Sequence, residues 1–264
     1  MTLAGLTTKR GNQTMAKSLL TRGVSSPKLA KGAEGIESVI LHLSPGPLCP
    51  WKTNGCFGGC LDTAGRGAMN SVQEARRRRS DLFMTERLAF FARLEAELDL
   101  LIKRAEKKNA RPVARLNGTS DVPWERIRYS LPQEHYYGLA ARSIIEREPG
   151  VIFYDYTKSK ERARTASLAN GGFPFNYSLT LSRSEDFLPG ETGDITNSGV
   201  NVAVVFDTPK NAELPKTFEG VRVIDGRKSD WRFSDPRGVV VGLSALGKAR
   251  HDDTGFVVRS AGAK

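Results

Sequence analysis

Cysteine is scarce in this chain and is confined to one place. The 264 residues include three cysteines, Cys49, Cys56 and Cys60, separated by six and then three residues. An odd number of closely spaced cysteines, with no apolar signal segment near the start, argues against a disulfide framework. We therefore predict a reducing, cytoplasmic environment.

Several other patterns are missing. The longest apolar runs have only the length of a strand, so we expect no membrane association. There is no P-loop and no Gly-x-Gly-x-x-Gly pattern, which weakens an ATPase or dinucleotide-binding interpretation. Hydrophobic and charged contents of 39% and 26% are ordinary for a globular protein.

Charge is unbalanced, with 40 Lys and Arg against 29 Asp and Glu and a net charge of +11. Such a balance permits attraction to nucleic acid. The candidate contacts are the basic N-terminal arm and four consecutive residues, Arg76, Arg77, Arg78 and Arg79. No helix-turn-helix, zinc-finger or aromatic RNA-reading signature accompanies them. On a helix four consecutive arginines spread around the axis, so an ordinary solvated face is the alternative.

Composition divides the chain in two. Residues 1–35 are rich in Gly, Ser, Thr and Lys, which predicts a flexible basic arm. Residues 36–264 read as a single domain in which strands and helices alternate, typical of an α/β protein with a mainly parallel sheet. The β-rich runs are 37–44, 111–117, 151–156, 176–182, 200–206, 221–225 and 238–242, and the predicted helices are 72–79, 85–108, 138–147 and 158–170.

Polar residues follow the predicted strands. The cysteines come after the first strand, residues 117–121 after the second, Asp155 to Lys158 after the third, and residues 182–185 after the fourth. In parallel α/β folds the functional groups gather at the carboxyl ends of the strands. We therefore expect these residues to converge around one opening.

The cysteine loop has the chemistry of a metal site. Three soft thiolates suit an iron–sulfur cluster or zinc, and Gly55, Gly58 and Gly59 permit a tight bend. In the zinc alternative His42 supplies a fourth ligand. His42 nevertheless sits in an apolar alternating strand, which favours a packed histidine.

The cysteine loop after strand one, the polar turn after strand two and the six β/α units resemble the radical S-adenosylmethionine enzymes. The resemblance implies a partial (β/α)6 barrel, a [4Fe-4S] cluster on Cys49, Cys56 and Cys60, and S-adenosylmethionine at its open iron. The spacing differs, because the usual family spacing is three and then two residues. The cofactor-binding residues that the resemblance implies are Asn117, Gly118, Ser120, Asp121, Lys158, Ser182 and Arg183.

Each of these assignments has a plainer alternative. Asn, Gly, Thr, Ser and Asp at 117–121 also favour an Asx or Ser/Thr turn. Lys158 is a candidate for a carboxylate or phosphate, or else a solvated lysine at a helix start. Ser182 and Arg183 are candidates for the cofactor's ribose or carboxylate, or else an ordinary polar turn.

A second resemblance rests on longer strings. These are Arg-Leu-Asn-Gly-Thr-Ser-Asp at 115–121, Phe-Tyr-Asp-Tyr-Thr-Lys at 153–158, Asn-Tyr-Ser-Leu-Thr-Leu-Ser at 176–182 and Val-Ile-Asp-Gly at 223–226. Together with the cysteine block they resemble a bacteriophage domain family known as gene product 88-like, over roughly residues 38 to 259. This likeness implies a phage protein acting in the host cell cytoplasm and names no reaction.

Two functional hypotheses result. The first is an iron–sulfur-binding phage protein with radical S-adenosylmethionine-type chemistry on an unknown substrate. The second is a non-enzymatic, metal-stabilised phage factor that binds nucleic acid or a host protein. Whether the protein is an enzyme is left open by the sequence.

Overall fold

A computed structural model of the protein describes residues 18–25, 34–166 and 174–259. In these ranges the strands are β1 Leu20–Arg22, β2 Ile36–Leu41, β3 Arg111–Arg115, β4 Ile152–Thr157, β5 Tyr177–Ser182, β6 Asn201–Phe206, β7 Thr217–Phe218, β8 Val221–Asp225, β9 Val240–Ser244 and β10 Val257–Val258. The helices are α1 Asn54–Gly58, α2 Asn70–Thr85, α3 Arg87–Lys107, α4 Pro132–Tyr136, α5 Ile144–Arg147, α6 Lys160–Thr165 and α7 Glu191–Asn197. The alternation of strands and helices confirms the predicted α/β class.

The strands form one sheet of ten, and most of it is parallel. Its order is β1-β2-β3-β4-β5-β6-β9-β8-β7, and β10 pairs with β6. Strands β2 to β6 lie side by side in chain order, and β9 and β8 continue the parallel pairing. Only β1 and β7 pair in antiparallel fashion. The carboxyl ends of the parallel strands therefore lie along one edge.

The two long helices cover the first half of the sheet because of their apolar spacing. In α3 the side chains of Phe91, Leu94, Leu98 and Leu101 recur at helical intervals and are fully buried. They share a core with residues of β2, β3 and β4, including Val39, Leu41, Ala114 and Phe153. A second core around β6 and α7 covers the other half, formed by Leu181, Ile195, Val202, Val204 and Phe206 among others.

On the opposite face of the sheet, a loop around Trp231 packs on β2, β3 and β4. Ile40, Val113 and Tyr154 point to that side and pack with Trp231, next to the short 3-10 turn Arg232–Ser234. The Tyr154 and Trp231 ring centroids are 6.1 Å apart. Because strand side chains alternate between faces, residues two positions further along β3 and β4 lie on this same side.

The prediction of one continuous helix at 138–147 was wrong. The structure forms two short helices instead, α4 and α5, and Gly138 between them has a positive φ of 67°. Ser143 begins α5 with a capping box to Glu146. A left-handed glycine ends one helix and a capping serine starts the next, so a continuous helix is excluded here.

The predicted first strand is the second in the chain. Residues 20–22, inside the stretch predicted as an arm, form β1, which pairs with β2, and Leu19 and Leu20 lie in the core. The cysteines accordingly follow β2. Outside the described residues lie 1–17 and 26–33 of the predicted arm. The same holds for positions 167–170 of the last predicted helix.

Candidate functional site

A cavity of about 510 Å³ opens at the carboxyl edge of the sheet. Residues at or just beyond the ends of β2, β3, β4, β5, β6, β8 and β9 line it. The structure thus brings together nearly all of the predicted site residues at one opening, namely Cys49, Cys56, Cys60, Asn117, Gly118, Ser120, Asp121, Lys158 and Ser182. Arg183 is not among the lining residues.

The cysteine segment, residues 49–60, is partly helical. Cys49 lies in a turn, where its N–H donates to the Gly46 carbonyl at 3.1 Å. Cys56 lies in α1, whose first turn is capped by the Thr53 hydroxyl, which accepts from the Cys56 N–H at 3.3 Å. The Cys60 sulfur accepts from the Asp62 N–H at 3.5 Å. Local hydrogen bonds thus fix the backbone beside each thiol.

Glu185, which follows β5, holds the start of α1. Its carboxylate accepts from the Thr53 hydroxyl and from the Gly55 N–H, both at 2.7 Å. Gly55 packs tightly here, because an added Cβ would lie 2.2 Å from Thr254 Oγ1 and 2.5 Å from Phe256 Cβ. The sequence placed residues 182–185 at the same opening as the cysteines, but it did not predict the contact of Glu185 with Gly55, 130 residues away in the chain. The close contact, and not only a bend, explains this glycine.

Asp62 and Arg76 hold the other end of the segment. Arg76 is buried and donates to the Asp62 carbonyl at 2.7 Å as well as to its carboxylate. The expectation that Arg76 contacts nucleic acid is therefore wrong, since its guanidinium is enclosed in an ion pair. Arg77 and Arg78 are exposed, whereas Arg79 is partly buried and donates to the Ser18 carbonyl at 3.1 Å.

The three thiols are free and partly buried. Burial raises the pKa of Cys49 to about 12 and also raises the pKa of Cys56 and Cys60. Negative charge on Cys56 or Cys60 further raises the pKa of Cys49, so the three groups lie near enough to interact. Across the described part of the chain, no group of three or more His, Cys, Asp or Glu side chains is placed so as to hold a metal ion.

Asn117 stabilises the turn after β3. Its side-chain oxygen accepts from the Ser120 hydroxyl at 2.9 Å, from the Val122 N–H at 2.9 Å and from Trp124 Nε1 at 3.1 Å. Gly118 lies close to β2, since an added Cβ would be 2.6 Å from the Leu41 carbonyl oxygen. These contacts agree with the Asx-type turn that the sequence allowed as the alternative.

Asp121 is paired within the protein. Its carboxylate accepts from the buried Arg162 at 2.7 Å, and from the Lys158 N–H at 2.8 Å and the Thr157 hydroxyl at 3.1 Å. Burial raises its pKa despite the arginine. Asp121 thus connects the turns after β3 and β4 at the cavity wall.

In the part of the chain that the structure describes, no carboxylate is bonded to the Lys158 ammonium. Its Nζ donates to Ser182 Oγ at 3.0 Å and to the Arg183 carbonyl at 2.6 Å, and lies 4.4 Å from the Phe256 ring centroid. Burial lowers the pKa of Lys158 to about 8. A partly buried ammonium with uncharged acceptors is suited to an anionic ligand, because burial without a counter-ion is costly.

The remaining candidate, His42, lies elsewhere. His42 does not line the cavity, and its burial beside three arginines lowers its pKa to about 3. Asp252 closes a turn, with its carboxylate accepting from the Thr254 hydroxyl at 2.7 Å and the Val257 N–H at 2.9 Å. This turn shapes the segment that contacts Gly55.

Among the described helices none has the length and apolar character needed to cross a membrane. No curated protein and no solved structure matches the chain at a significant level. The resemblance to the radical S-adenosylmethionine enzymes gains no support from these comparisons and stays a prediction. A family model described as Gene product 88 matches residues 6–260. This match spans nearly the whole chain and agrees with the resemblance noted from its longer strings, so the protein belongs to the Gene product 88 family.

Proposed function

We propose that the cavity at the strand ends holds an iron–sulfur cluster on Cys49, Cys56 and Cys60 and binds S-adenosylmethionine beside it. The observation that carries this proposal is that three free thiols share one cavity with a partly buried lysine whose ammonium, among the described residues, bonds only uncharged acceptors. The reduced state that such a site requires fits a cytoplasmic location.

The donor set fits a thiolate-bound cluster better than a hard cation. Soft thiolates select iron–sulfur clusters or zinc, whereas Mg²⁺ and Ca²⁺ prefer oxygen ligands. The thiols as placed do not form a closed metal site. The proposal requires changes of χ1 rotamer, which move a cysteine sulfur without moving its backbone, to bring the three lining thiols together on a metal. Their raised pKa values mean that binding must release protons.

The neighbouring residues would bind and orient the second ligand. The Lys158 ammonium is suited to a carboxylate, and the Ser182 hydroxyl to a ribose hydroxyl or the same carboxylate. The turn 117–121 forms the facing wall, and apolar Phe256 and Leu246 exclude water. A bound [4Fe-4S] cluster, once reduced by an external electron donor, would supply the one electron for reductive cleavage of the sulfonium into methionine and a 5′-deoxyadenosyl radical. Arg183 lies outside the cavity lining, and its carbonyl fixes Lys158.

We also propose that the sheet curves as a partial barrel around this cavity. Strands β2 to β6 follow one another without reversal, as barrel strands do, and lack the switch point of doubly wound sheets. One face carries the long helices, while the other encloses Ile40, Val113, Tyr154 and Trp231. Side chains filling one face in this way are typical of a barrel interior.

Anaerobic reconstitution with iron and sulfide tests the cluster. We expect brown protein with broad visible absorption and about four irons and four sulfides per chain. The Cys49→Ala/Cys56→Ala/Cys60→Ala variant should stay colourless. Stoichiometric zinc with no colour would instead support the metal-stabilised, non-enzymatic factor. A colourless, metal-free wild-type protein would contradict both.

Catalysis has its own test. Reduced, reconstituted protein incubated with S-adenosylmethionine should release 5′-deoxyadenosine, measured by chromatography. Lys158→Met should lower S-adenosylmethionine affinity while the cluster absorption is retained, because the lysine touches no thiol in its hydrogen bonding. Equal affinity in the wild type and this variant would remove Lys158 from the proposed site.

As a second candidate function, we propose contact with a nucleic acid backbone. The exposed Arg77 and Arg78 on α2 and the net charge of +11 favour it. Arg76 is excluded by its ion pair with Asp62, and Arg79 is directed to the Ser18 carbonyl.

A further inference from the structure

The cavity lining carries more basic than acidic side chains. Five basic side chains line it, Lys52, Arg115, Lys158, Lys210 and Arg227, against two carboxylates, Asp62 and Asp121. Both carboxylates are already bound by arginines that do not line the cavity. Asp230 and Asp225 pair with Arg115 and Arg227 from outside the lining, and no ion pair with a carboxylate is found for the three lysines in the described ranges. An excess of positive charge thus faces the cavity.

Two side chains that line the cavity, on neighbouring strands, each carry a hydrogen-bond donor with no partner among the described residues. The Tyr156 hydroxyl on β4 and the Arg115 Nε on β3 are buried, and the described residues offer neither a hydrogen-bond partner. The Arg115 guanidinium lies 4.9 Å from the Tyr156 ring centroid, so the two side chains form one unit. Both belong to the cavity lining.

Unpartnered buried donors destabilise a fold, so their retention calls for an explanation. We propose that Tyr156 and Arg115 form a subsite that binds a phosphate or carboxylate group of the substrate. The inference rests on the proposed function in one respect, namely that this substrate and S-adenosylmethionine share one cavity. It deepens that proposal by naming an anionic substrate class.

The chemistry of the two side chains suits an oxyanion. Burial raises the pKa of Tyr156, so the phenol keeps its proton and donates. The guanidinium is always charged and presents several donors in a plane. Val205, Leu243 and Leu246 line the same cavity and can contact an apolar part of the ligand. The subsite therefore fits a molecule with an apolar body and one anionic group.

Calorimetric titration of the full-length protein with pyrophosphate and with citrate tests the subsite. We expect wild-type protein to bind one equivalent, and Tyr156→Phe to bind about tenfold or more weakly because a hydrogen bond to a charged group is lost. The unfolding temperature of Tyr156→Phe should equal or exceed that of the wild type, since only an unpartnered hydroxyl is removed. Stronger binding of pyrophosphate than of citrate would identify the phosphate class, and the reverse the carboxylate class.

Tyr154→Phe is the matched control. Tyr154 lies two residues earlier on the same strand, its hydroxyl bonds Asp230 at 3.2 Å, and it does not line the cavity. This variant should unfold at lower temperature and bind the anion like the wild type. Equal affinity in Tyr156→Phe and wild type, or no binding to wild type, would overturn the subsite. The triple cysteine variant should bind pyrophosphate normally, so a missing cluster and a missing subsite give different results.

Discussion

At the residue scale, buried arginines decide which carboxylates are available to a ligand. Arg162 is fully buried and bonds both Asp121 and Glu125, the latter at 2.8 Å. Arg76 does the same for Asp62 beside Cys60. Because buried arginines neutralise the carboxylates of Asp62 and Asp121, these groups do not offset the charge of the basic side chains that line the cavity.

Removal of the Arg76 guanidinium should therefore destabilise the protein. Arg76→Ala leaves the buried Asp62 carboxylate unpaired, which typically costs about 3–5 kcal/mol. The adjacent and exposed Arg77 is the control, and Arg77→Ala should change the free energy of unfolding by no more than about 0.5 kcal/mol. Urea denaturation measures both. Equal effects would mean that the ion pair contributes nothing to stability.

His42 makes stability depend on pH. Its pKa is about 3 in the folded protein, against an ordinary value of 6.5. Below pH 6.5 His42 binds a proton in the unfolded chain but stays neutral in the folded protein. The free energy of unfolding that His42 contributes above pH 6.5 is therefore lost as the pH falls toward 3. The slope reaches about 1.4 kcal/mol per pH unit.

Urea denaturation of wild type and His42→Gln between pH 7.5 and 4 isolates this contribution, since other titrating groups cancel in the difference. The advantage of wild type over the variant should shrink as the pH falls below about 6.5. A constant difference would show that His42 titrates normally in the folded state.

At the scale of the elements, α1 is fixed by its contact with the segment 254–256. Gly55→Ala should destabilise the protein by about 1–3 kcal/mol, because its Cβ would overlap Thr254 and Phe256. Gly58 lies in the same helix with nothing within 4 Å of an added Cβ. Gly58→Ala should therefore leave stability unchanged or slightly raised.

Thermal unfolding measures the two glycine variants, and iron content after reconstitution gives a second readout. We expect Gly55→Ala to lose both stability and iron, and Gly58→Ala to keep both. Equal behaviour of the two variants would show that α1 tolerates displacement from the segment 254–256.

The strands were predictable because each β-rich run is bounded by turn residues. β8 was predicted with the observed bounds, and β4 to within one residue at each end. β7 and β10 have two residues each, too few for any periodicity to appear. The partners of the cysteine segment were missed for another reason. The convergence of strand ends placed residues 182–185 near the cysteines, but no local pattern encodes the individual contacts of Glu185 and Phe256, which come from distant parts of the chain.

At the scale of the whole molecule, the net charge of +11 predicts salt-dependent binding to polyanions. Removing two phosphate contacts should lower the slope of log K against log salt by about 1.8 for duplex DNA. We expect this reduction for Arg77→Ala/Arg78→Ala. Lys103→Ala/Lys107→Ala removes the same charge from the exposed face of α3 and should leave the slope nearly unchanged. Fluorescence anisotropy over a salt series measures both, and identical slopes would exclude α2 as the contact surface.

The cysteine segment is closed by residues encoded far downstream. Cys56 packs against Ala245, Ala249, Phe256 and Val257, and β10 inserts beside β6. During translation the thiols emerge from the ribosome early, yet their enclosure waits for residue 257. The thiols therefore stay accessible to solvent until the last strand has formed, and a nascent chain stalled before that point would expose them to oxidants.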